Sequence, residues 1–405
     1  MSQPAGSPPE GPAPASAVII GTGLIGTSVA LALRFRGVTV WLADRDPAAA
    51  RLAADIGAGE LLPEGWPPRE AEPRRLAAAR RGVAIGGSGG SPPRVSTDIA
   101  VIAVPPAAVA ATLAAAQGRG LARWYTDVAS VKSQPLAQAR ALGCDLASFV
   151  PGHPLAGRER SGPAAARADL FLGRPWVVCH GGSIPAAGVA TVAALARVCG
   201  AEPVLADPAE HDAWVALVSH APHVVSAAMA ARLTEARDGA LALAGQGLRD
   251  VTRIAAGDTR LWAQILAANA APVADVLAAV GADLIAVAEE LAGVAGGEAP
   301  GTGSAAELKL LAALLDQGVA GVARLPGKRG GPARAETQVQ VVIQDQPGEL
   351  ARLFQAAGEA GVNIEDVGIE HSPGLPVGVA ELTVHPDAVG PLTEALAANG
   401  WPVRR

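Results

Sequence analysis

Apolar residues fall along this chain in three successive rhythms, and each predicts a different architecture. Between Ala17 and His180, short apolar runs alternate with segments of helical length. Ala17-Val18-Ile19-Ile20, Val38-Thr39-Val40-Trp41-Leu42-Ala43 and the run from Asp98 to Pro106 read as strands buried on both faces. Trp124 to Val128, Phe149-Val150 and Pro175 to His180 continue the series, with a Pro/Gly-rich loop following Phe149-Val150. Helices are expected from Thr27 to Arg36 and from Pro47 to Ala58, the second opened by Asp46 as N-cap and closed near Gly57. From Pro208 to about Leu325 the period becomes helical throughout, without a convincing strand. Strict alternation returns at Gln338 to Ile343. A helix then runs from Glu349 to about Ala360, with strands from Gly361 and over Val379 to Val384, a helix from Asp387 to Ala398 and a short strand at Trp401-Pro402-Val403. That order, βαββαβ, is ferredoxin-like.

Breaks in the pattern place the boundaries. Residues 1–16, rich in Pro, Ser, Ala and Gly, lack a basic start followed by an apolar core and read as a disordered lead rather than a signal peptide. Residues 61–94, crowded with Pro, Gly and Arg, read as an insertion. The expected division is an α/β domain over 17–205, a helical domain over 206–325, a linker over 326–335 and a terminal module over 336–405. The most hydrophobic stretch, Pro272 to Gly297, is interrupted by Asp275, Asp283, Glu289 and Glu290, which suits a soluble helical bundle rather than a membrane span. Val273 to Val294 is still too uniformly apolar for a single solvent-facing layer, and predicts a homodimer.

Composition narrows the function. Hydrophobic residues make up 50% and charged residues 17% of the 405, so the chain is globular. A net charge of −6 offers no basic face for nucleic acid. Cys144, Cys179 and Cys199 form no CxxC pair and suit reduced thiols in a cytoplasmic protein. Only Lys132, Lys309 and Lys328 are lysines; arginine supplies the other basic residues.

The first strand runs into Gly21-Thr22-Gly23-Leu24-Ile25-Gly26, and the second ends on Asp44. A strand–turn–helix–strand unit with an acid roughly twenty residues past the glycines is a dinucleotide fingerprint. Gly21 makes the tight turn, Gly23 admits the pyrophosphate, Gly26 lets helix and strand pack closely, and the helix N-terminus at Leu24 and Ile25 faces the phosphates. Asp44 accepts ribose hydroxyls and repels a 2′-phosphate, which favours NAD over NADP, although Arg45 stands next to it. The strand ending at Val104-Pro105 stops at the same cofactor edge. Four polar clusters follow: His153 in Gly-His-Pro-Leu-Ala-Gly with Glu159 behind it; Asp127 to Ser133; His211-Asp212 with Ser219-His220-Ala221-Pro222-His223; and Leu248-Arg249-Asp250-Val251-Thr252-Arg253-Ile254 with Trp262 beyond. Ligands of open α/β sheets bind beyond the strands' carboxyl ends, which places Ser130 near the chemistry. His220 and His223 share a helix face, but hydride transfer needs no metal and none is expected. Arg249 and Asp250 read as a solvated helix-end pair, and Arg253 as the better candidate for a buried site.

In this order, after a GxGxxG domain, the clusters closely resemble the prephenate/arogenate dehydrogenase family, over about residues 17 to 325 without the insertion. The resemblance implies a Rossmann domain followed by a helical dimerisation domain, oxidative decarboxylation of prephenate with NAD, and arogenate as the alternative substrate. It also implies His153 as proton acceptor with Ser130 at the same hydroxyl, Arg253 at the ring carboxylate, and Ser219, His223, Arg249, Trp262 and Glu159 about the substrate. The terminal module resembles an ACT domain through Asp345-Gln346-Pro347-Gly348 and Gly361-Val362-Asn363-Ile364, which implies an amino-acid effector, tyrosine in this pathway. Two rivals are weaker. A β-hydroxyacid dehydrogenase would use a helical lysine in a Gly-rich helix, and Lys309 lacks that setting; a non-catalytic NAD or amino-acid sensor would not be expected to keep His153, Ser130 and Arg253 together. Replacing Asp44 with Ser is expected to weaken NAD and raise relative use of NADP, and an unchanged ratio of the two kcat/KM values would remove Asp44 from the ribose.

Overall fold

The computed structural model describes residues 9–63, 97–157, 160–182, 184–295, 308–325, 337–371 and 376–404. The expected insertion therefore falls almost wholly outside the described residues, as do the linker and Glu159.

Five parallel strands form the first sheet: β1 (Ser16–Ile20), β2 (Thr39–Ala43), β3 (Glu60–Leu61), β4 (Thr97–Ile102) and β5 (Ala122–Asp127), in the order β3-β2-β1-β4-β5. Alternate residues of β1 and β4 enter two different apolar cores, Ala17, Ile19, Ile99 and Val101 on one face and Val18, Ile20, Ala100 and Ile102 on the other. Helix α1 (Leu24–Phe35) follows the glycine turn, and α2 (Pro47–Asp55) is capped by Asp46, whose side chain accepts from Ala48 N at 2.9 Å. Helix α3 (Pro106–Arg119) lies between β4 and β5, and α4 (Ser133–Ala141) follows β5.

The chain leaves this sheet through a parallel bridge between Tyr125 and Phe149 and builds a second one. Its strands are β6 (Gly152–Pro154), β7 (Pro175–Cys179) and β8 (Glu202–Ala206), in that order, with β6 antiparallel to β7 and β8 parallel to it. His153 thus lies within a short strand and not in the loop expected for it. Both β6 and β8 are edges, where Pro154 and Pro203 withhold no ladder hydrogen bond, so strands form despite the prolines. Helix α5 (Ala186–Val198) is buried along most of its length, and its apolar side chains join the core shared with β1 and β7.

From Pro208 to Val322 every described element is helical. A capping box at Asp207 and Glu210 opens α6 (Pro208–Val215); a π-helical turn over Ala216–His220 leads into α7 (Ala221–Ala231). Then come α8 (Gln246–Thr252), α9 (Thr259–Ala268), the 26-residue α10 (Ala270–Ala295) and α11 (Lys309–Val322). The contacts divide the chain into two compact units, residues 1–244 with 248–282, and residues 245–247 with 283–405. This division falls inside the unbroken α10.

The last module follows its expected order: β9 (Thr337–Gln344), α12 (Glu349–Glu359), β10 (Ile364–His371), β11 (Val377–Val384), α13 (Val389–Ala398) and β12 (Val403–Arg404). The antiparallel sheet runs β10-β11-β9-β12 and closes over a core of Val339, Val341, Leu353, Leu382 and Leu396. Buried Glu349 receives Trp401 Nε1 at 2.7 Å and Arg352 at 2.9 Å, fastening the chain's end to the first turn of α12.

One buried ion pair fixes where the two sheets meet. Asp127, the last residue of β5, pairs with the Lys132 ammonium, and both side chains are fully buried. The ammonium also donates to Gly152 O at 2.6 Å, while Asp127 accepts Gly152 N at 3.2 Å and Ala129 N at 3.1 Å. Gly152 is held from both sides, directly before His153. Removing one partner of such a pair strands a charge in low dielectric, so Lys132→Met is expected to cost about 3–5 kcal/mol, read as a lowered urea midpoint. A midpoint unchanged from wild type would show that the pair carries no such weight.

Candidate active site

At the carboxyl end of β1, Gly21 adopts φ +102, and a Cβ there would overlap the Ala103 carbonyl just past β4. A Cβ on Gly26 would overlap the Gly21 carbonyl. Gly23, the N-cap of α1, instead faces open space, with nothing within 4 Å of where its Cβ would lie. This is a cradle for a diphosphate: two glycines forced by close packing, one clearing the approach to the helix N-terminus. Val104 borders Gly21, and Pro105 caps α3 beside it. The Asp44 carboxylate, half-buried at the end of β2, accepts Thr22 N at 2.5 Å and the Thr22 hydroxyl at 2.9 Å on one oxygen, and Asp46 N at 2.9 Å on the other. Oδ2 thus has both lone pairs engaged, while Oδ1 keeps one for a further donor. The fingerprint residues therefore fit a dinucleotide.

Beyond β5 the structure gathers a chain of polar side chains. His153 Nδ1 lies 2.9 Å from His211 Nε2, and His211 Nδ1 lies 2.9 Å from Asp212 Oδ1. The Asp212 carboxylate accepts Lys132 N and Ser133 N, each at 2.8 Å, so it caps the start of α4 while holding His211. Asn269, at the end of α9, places its amide nitrogen 2.8 Å from Asp212 O and 3.1 Å from His220 Nδ1. His223 stacks on Trp262 with ring centroids 3.6 Å apart, and His220 meets the same indole edge-on at 6.1 Å. Gly257 makes room for that stack, because a Cβ there would lie 2.5 Å from Trp262 Nε1 and 3.0 Å from His223 Cε1.

Crowding keeps these imidazoles neutral. Burial, with the charges of His211, Lys132 and His220, holds His153 well below the ordinary histidine range. Burial lowers His211 too, against the opposing bond to Asp212. It carries His220 down to about 4, and it also lowers His223. Burial alone would raise Asp212, yet hydrogen bonds from His211 and Ser133 and the Lys132 amide hold it below the usual carboxylate value.

His153, His223 and Trp262 thus belong to one polar region with the buried His211, Asp212 and His220. Ser130 lies half-buried between Asp127 and Lys132, and Ser219 half-buried in the π-helical turn. Arg253 departs from expectation: it is exposed. Helix α8 ends at Thr252, whose hydroxyl bonds back to Leu248 O at 2.7 Å, and the chain tightens into a 3₁₀ turn over Arg253–Ala255. Without an acidic partner among the described residues, burial of that guanidinium would be costly, and it is exposed. Arg249 is exposed near the end of α8. The sequence singled out the segments of Asp127, Lys132, His211 and Asp212 but gave these residues no role, and it missed Asn269 and Gly257. One signal was present for Lys132: where nearly every cation is arginine, a lysine marks a place for a compact point charge.

A family model described as prephenate dehydrogenase, nucleotide-binding domain, matches residues 71–205, and one described as prephenate dehydrogenase, dimerization domain, matches 207–297. NovF of Streptomyces niveus, named a probable prephenate dehydrogenase, is 40% identical over 390 residues, covering 96% of this chain and 99% of NovF. The prephenate dehydrogenase of Bacillus subtilis is 32% identical over 154 residues, 37% of this chain and 41% of that protein. Among solved structures, prephenate dehydrogenase from Aquifex aeolicus in complex with hydroxyphenyl propionate and NAD+ shares the fold, with TM-score 0.59 and 22% identity over 76% of this chain and 97% of that one. The arogenate dehydrogenase of Synechocystis shares it with TM-score 0.54 and 22% identity, over 76% and 99%. With 40% identity to NovF over nearly the full length of both chains and both family domains in sequence order, this chain belongs to the prephenate dehydrogenase family.

Proposed function

We propose that this chain oxidatively decarboxylates prephenate to 4-hydroxyphenylpyruvate with NAD, in tyrosine biosynthesis. The observation that carries the reading is a neutral imidazole, His153, anchored through one ring nitrogen in a chain with a dinucleotide cradle and the family's two domains. Prephenate bears a ring hydroxyl on the carbon that gives up hydride and a carboxylate on the opposite carbon. Bound NAD supplies the hydride acceptor. His153 takes the hydroxyl proton as the carbonyl forms, the carboxylate leaves as carbon dioxide with its bonding pair passing through the ring to that oxygen, and the proton returns there as the ring becomes aromatic. Aromatisation drives the reaction, so the chain mainly orients and polarises. Ser130 shares the hydroxyl with His153. Arg253, exposed and without an acidic partner among the described residues, offers its fork to the ring carboxylate. His223 and Trp262, braced by their stack, flank the ring with Ser219 beside them, and Arg249 guides the anion in.

The same reading assigns partners. Helix α10 leaves Leu284, Ile285 and Leu291 exposed at 57%, 61% and 45%. Its length and apolarity would suit a membrane span equally well, as would those of the helical run Pro208–Glu235. A homodimer face is favoured because both runs lie within the dimerization match. The βαββαβ module is read as an ACT domain that takes an amino acid at the Asp345-to-Gly348 turn, where Gly348 holds φ +89 before α12, and at the start of β10. Sedimentation is expected to show a dimer at micromolar concentration, and a monomer would contradict the α10 assignment. Tyrosine is expected to inhibit the full-length enzyme and to do so less with Asp345→Ala and Asn363→Ala; equal inhibition of all three would place tyrosine at the active site.

Incubation with prephenate and NAD is expected to yield 4-hydroxyphenylpyruvate, carbon dioxide and NADH, whereas a chain that forms tyrosine from arogenate and leaves prephenate untouched would overturn the substrate. His153→Asn is expected to lower kcat by roughly 10²–10⁴ with little change in KM. Near-normal turnover in that variant would remove His153 from the reaction.

A further inference from the structure

Beyond the residues that meet substrate, the geometry points to His211 and Asp212 as positioning residues that fix the tautomer of His153, so that its Nε2 carries the lone pair. This rests on the dehydrogenase reading only for what His153 does with that lone pair. The tautomer itself follows from the partners. Asp212 is ionised and can only accept; its Oδ1 takes the Lys132 amide and its Oδ2 the Ser133 amide, each at 2.8 Å. The His211 Nδ1 at 2.9 Å from Oδ1 therefore bears hydrogen. His211 is neutral, so its Nε2 has a lone pair, and the His153 Nδ1 at 2.9 Å from it must supply the hydrogen. His153 is neutral as well, which leaves its Nε2 unprotonated. One carboxylate thus sets the basic atom two rings away.

A second consequence concerns charge. Once His153 takes a proton at Nε2, the imidazolium keeps its Nδ1–H on a neutral acceptor backed by the Asp212 anion. That support opposes the Lys132 ammonium, which is itself matched by Asp127 and bonded to Gly152 O. His220, the other titratable neighbour, is fixed by Asn269. A wrong tautomer would present an N–H where the substrate hydroxyl needs an acceptor, a fault that costs up to about 10⁴ in turnover in the serine-protease triad.

His211→Phe keeps a flat ring but removes the acceptor, and is expected to lower kcat about 10- to 100-fold with KM within about 2-fold. The acidic limb of its kcat/KM profile is expected to shift, because His153 loses both the acceptor of its Nδ1–H and the His211 charge that lowers its proton affinity. His211→Gln, whose side-chain oxygen can accept from Nδ1–H, is expected to recover most of the turnover. Wild-type kcat and pH profile in His211→Phe, or a His211→Gln as slow as His211→Phe, would overturn the assignment and leave His211 a packing residue. Full-length protein carrying ¹⁵N-histidine, with His153 assigned by its loss in His153→Asn, reads the tautomer at rest without turnover. Hydrogen on Nδ1 supports the assignment even if prephenate is not turned over, in which case only the proposed substrate fails. Hydrogen on Nε2 in an active enzyme overturns the assignment and leaves the dehydrogenase reading intact.

Discussion

The ion pair between Asp127 and Lys132 is the constraint from which the rest of the site takes its position. Burying two charges is expensive, and their attraction compensates only where geometry and further hydrogen bonds satisfy both. Here the ammonium has a second acceptor in Gly152 O, and the carboxylate accepts two backbone amides. The pair therefore does more than neutralise itself. It joins the end of β5 to the residue before His153 across a change of sheet, and its lysine contributes the backbone N–H that holds Asp212. Strand, histidine and helical region are fixed by contacts with one five-residue loop.

Electrostatically the same pair allows several imidazoles to be crowded together. The buried ammonium lowers the proton affinity of His153 and His211, and burial lowers that of His220 and His223 as well. Neutral histidines can then act as donors and acceptors with fixed roles, which charged ones could not. The cofactor half solves an opposite problem: its donors must remain open, so Gly23 has no side chain and α1 no side-chain cap, while Thr22 holds Asp44 at the rim.

What the sequence made legible was what depends on neighbours in the chain. Glycine spacing, the Asp46 cap and the alternation of β9 each specify local geometry, and the structure shows each in place. The ferredoxin-like order of the last module was readable for the same reason. Features set by distant partners were not. Lys132 acquires its role from Gly152 and Asp127, and His211 from His153, 58 residues away in the chain. Strand β8 was hidden by Pro203, which an edge tolerates. Arg253 was expected to be buried because helical spacing was carried past Thr252, where the backbone tightens instead. The long α10 shows no break at the point where the two compact units divide, so periodicity could not place that division.

The claim that a neutral His153 takes the substrate proton is tested most directly by the pH dependence of kcat/KM for prephenate at saturating NAD. That profile reports ionisations of the NAD-bound enzyme before prephenate binds. A base must be unprotonated to act, and a pKa held well below the ordinary value of about 6.5 moves the acidic limb down with it. The expected result is activity independent of pH through neutrality, falling only well below pH 6.5, and a limb that disappears in the residual activity of His153→Asn. A limb at or above about 6.5, or one that persists unchanged in His153→Asn, would contradict the account.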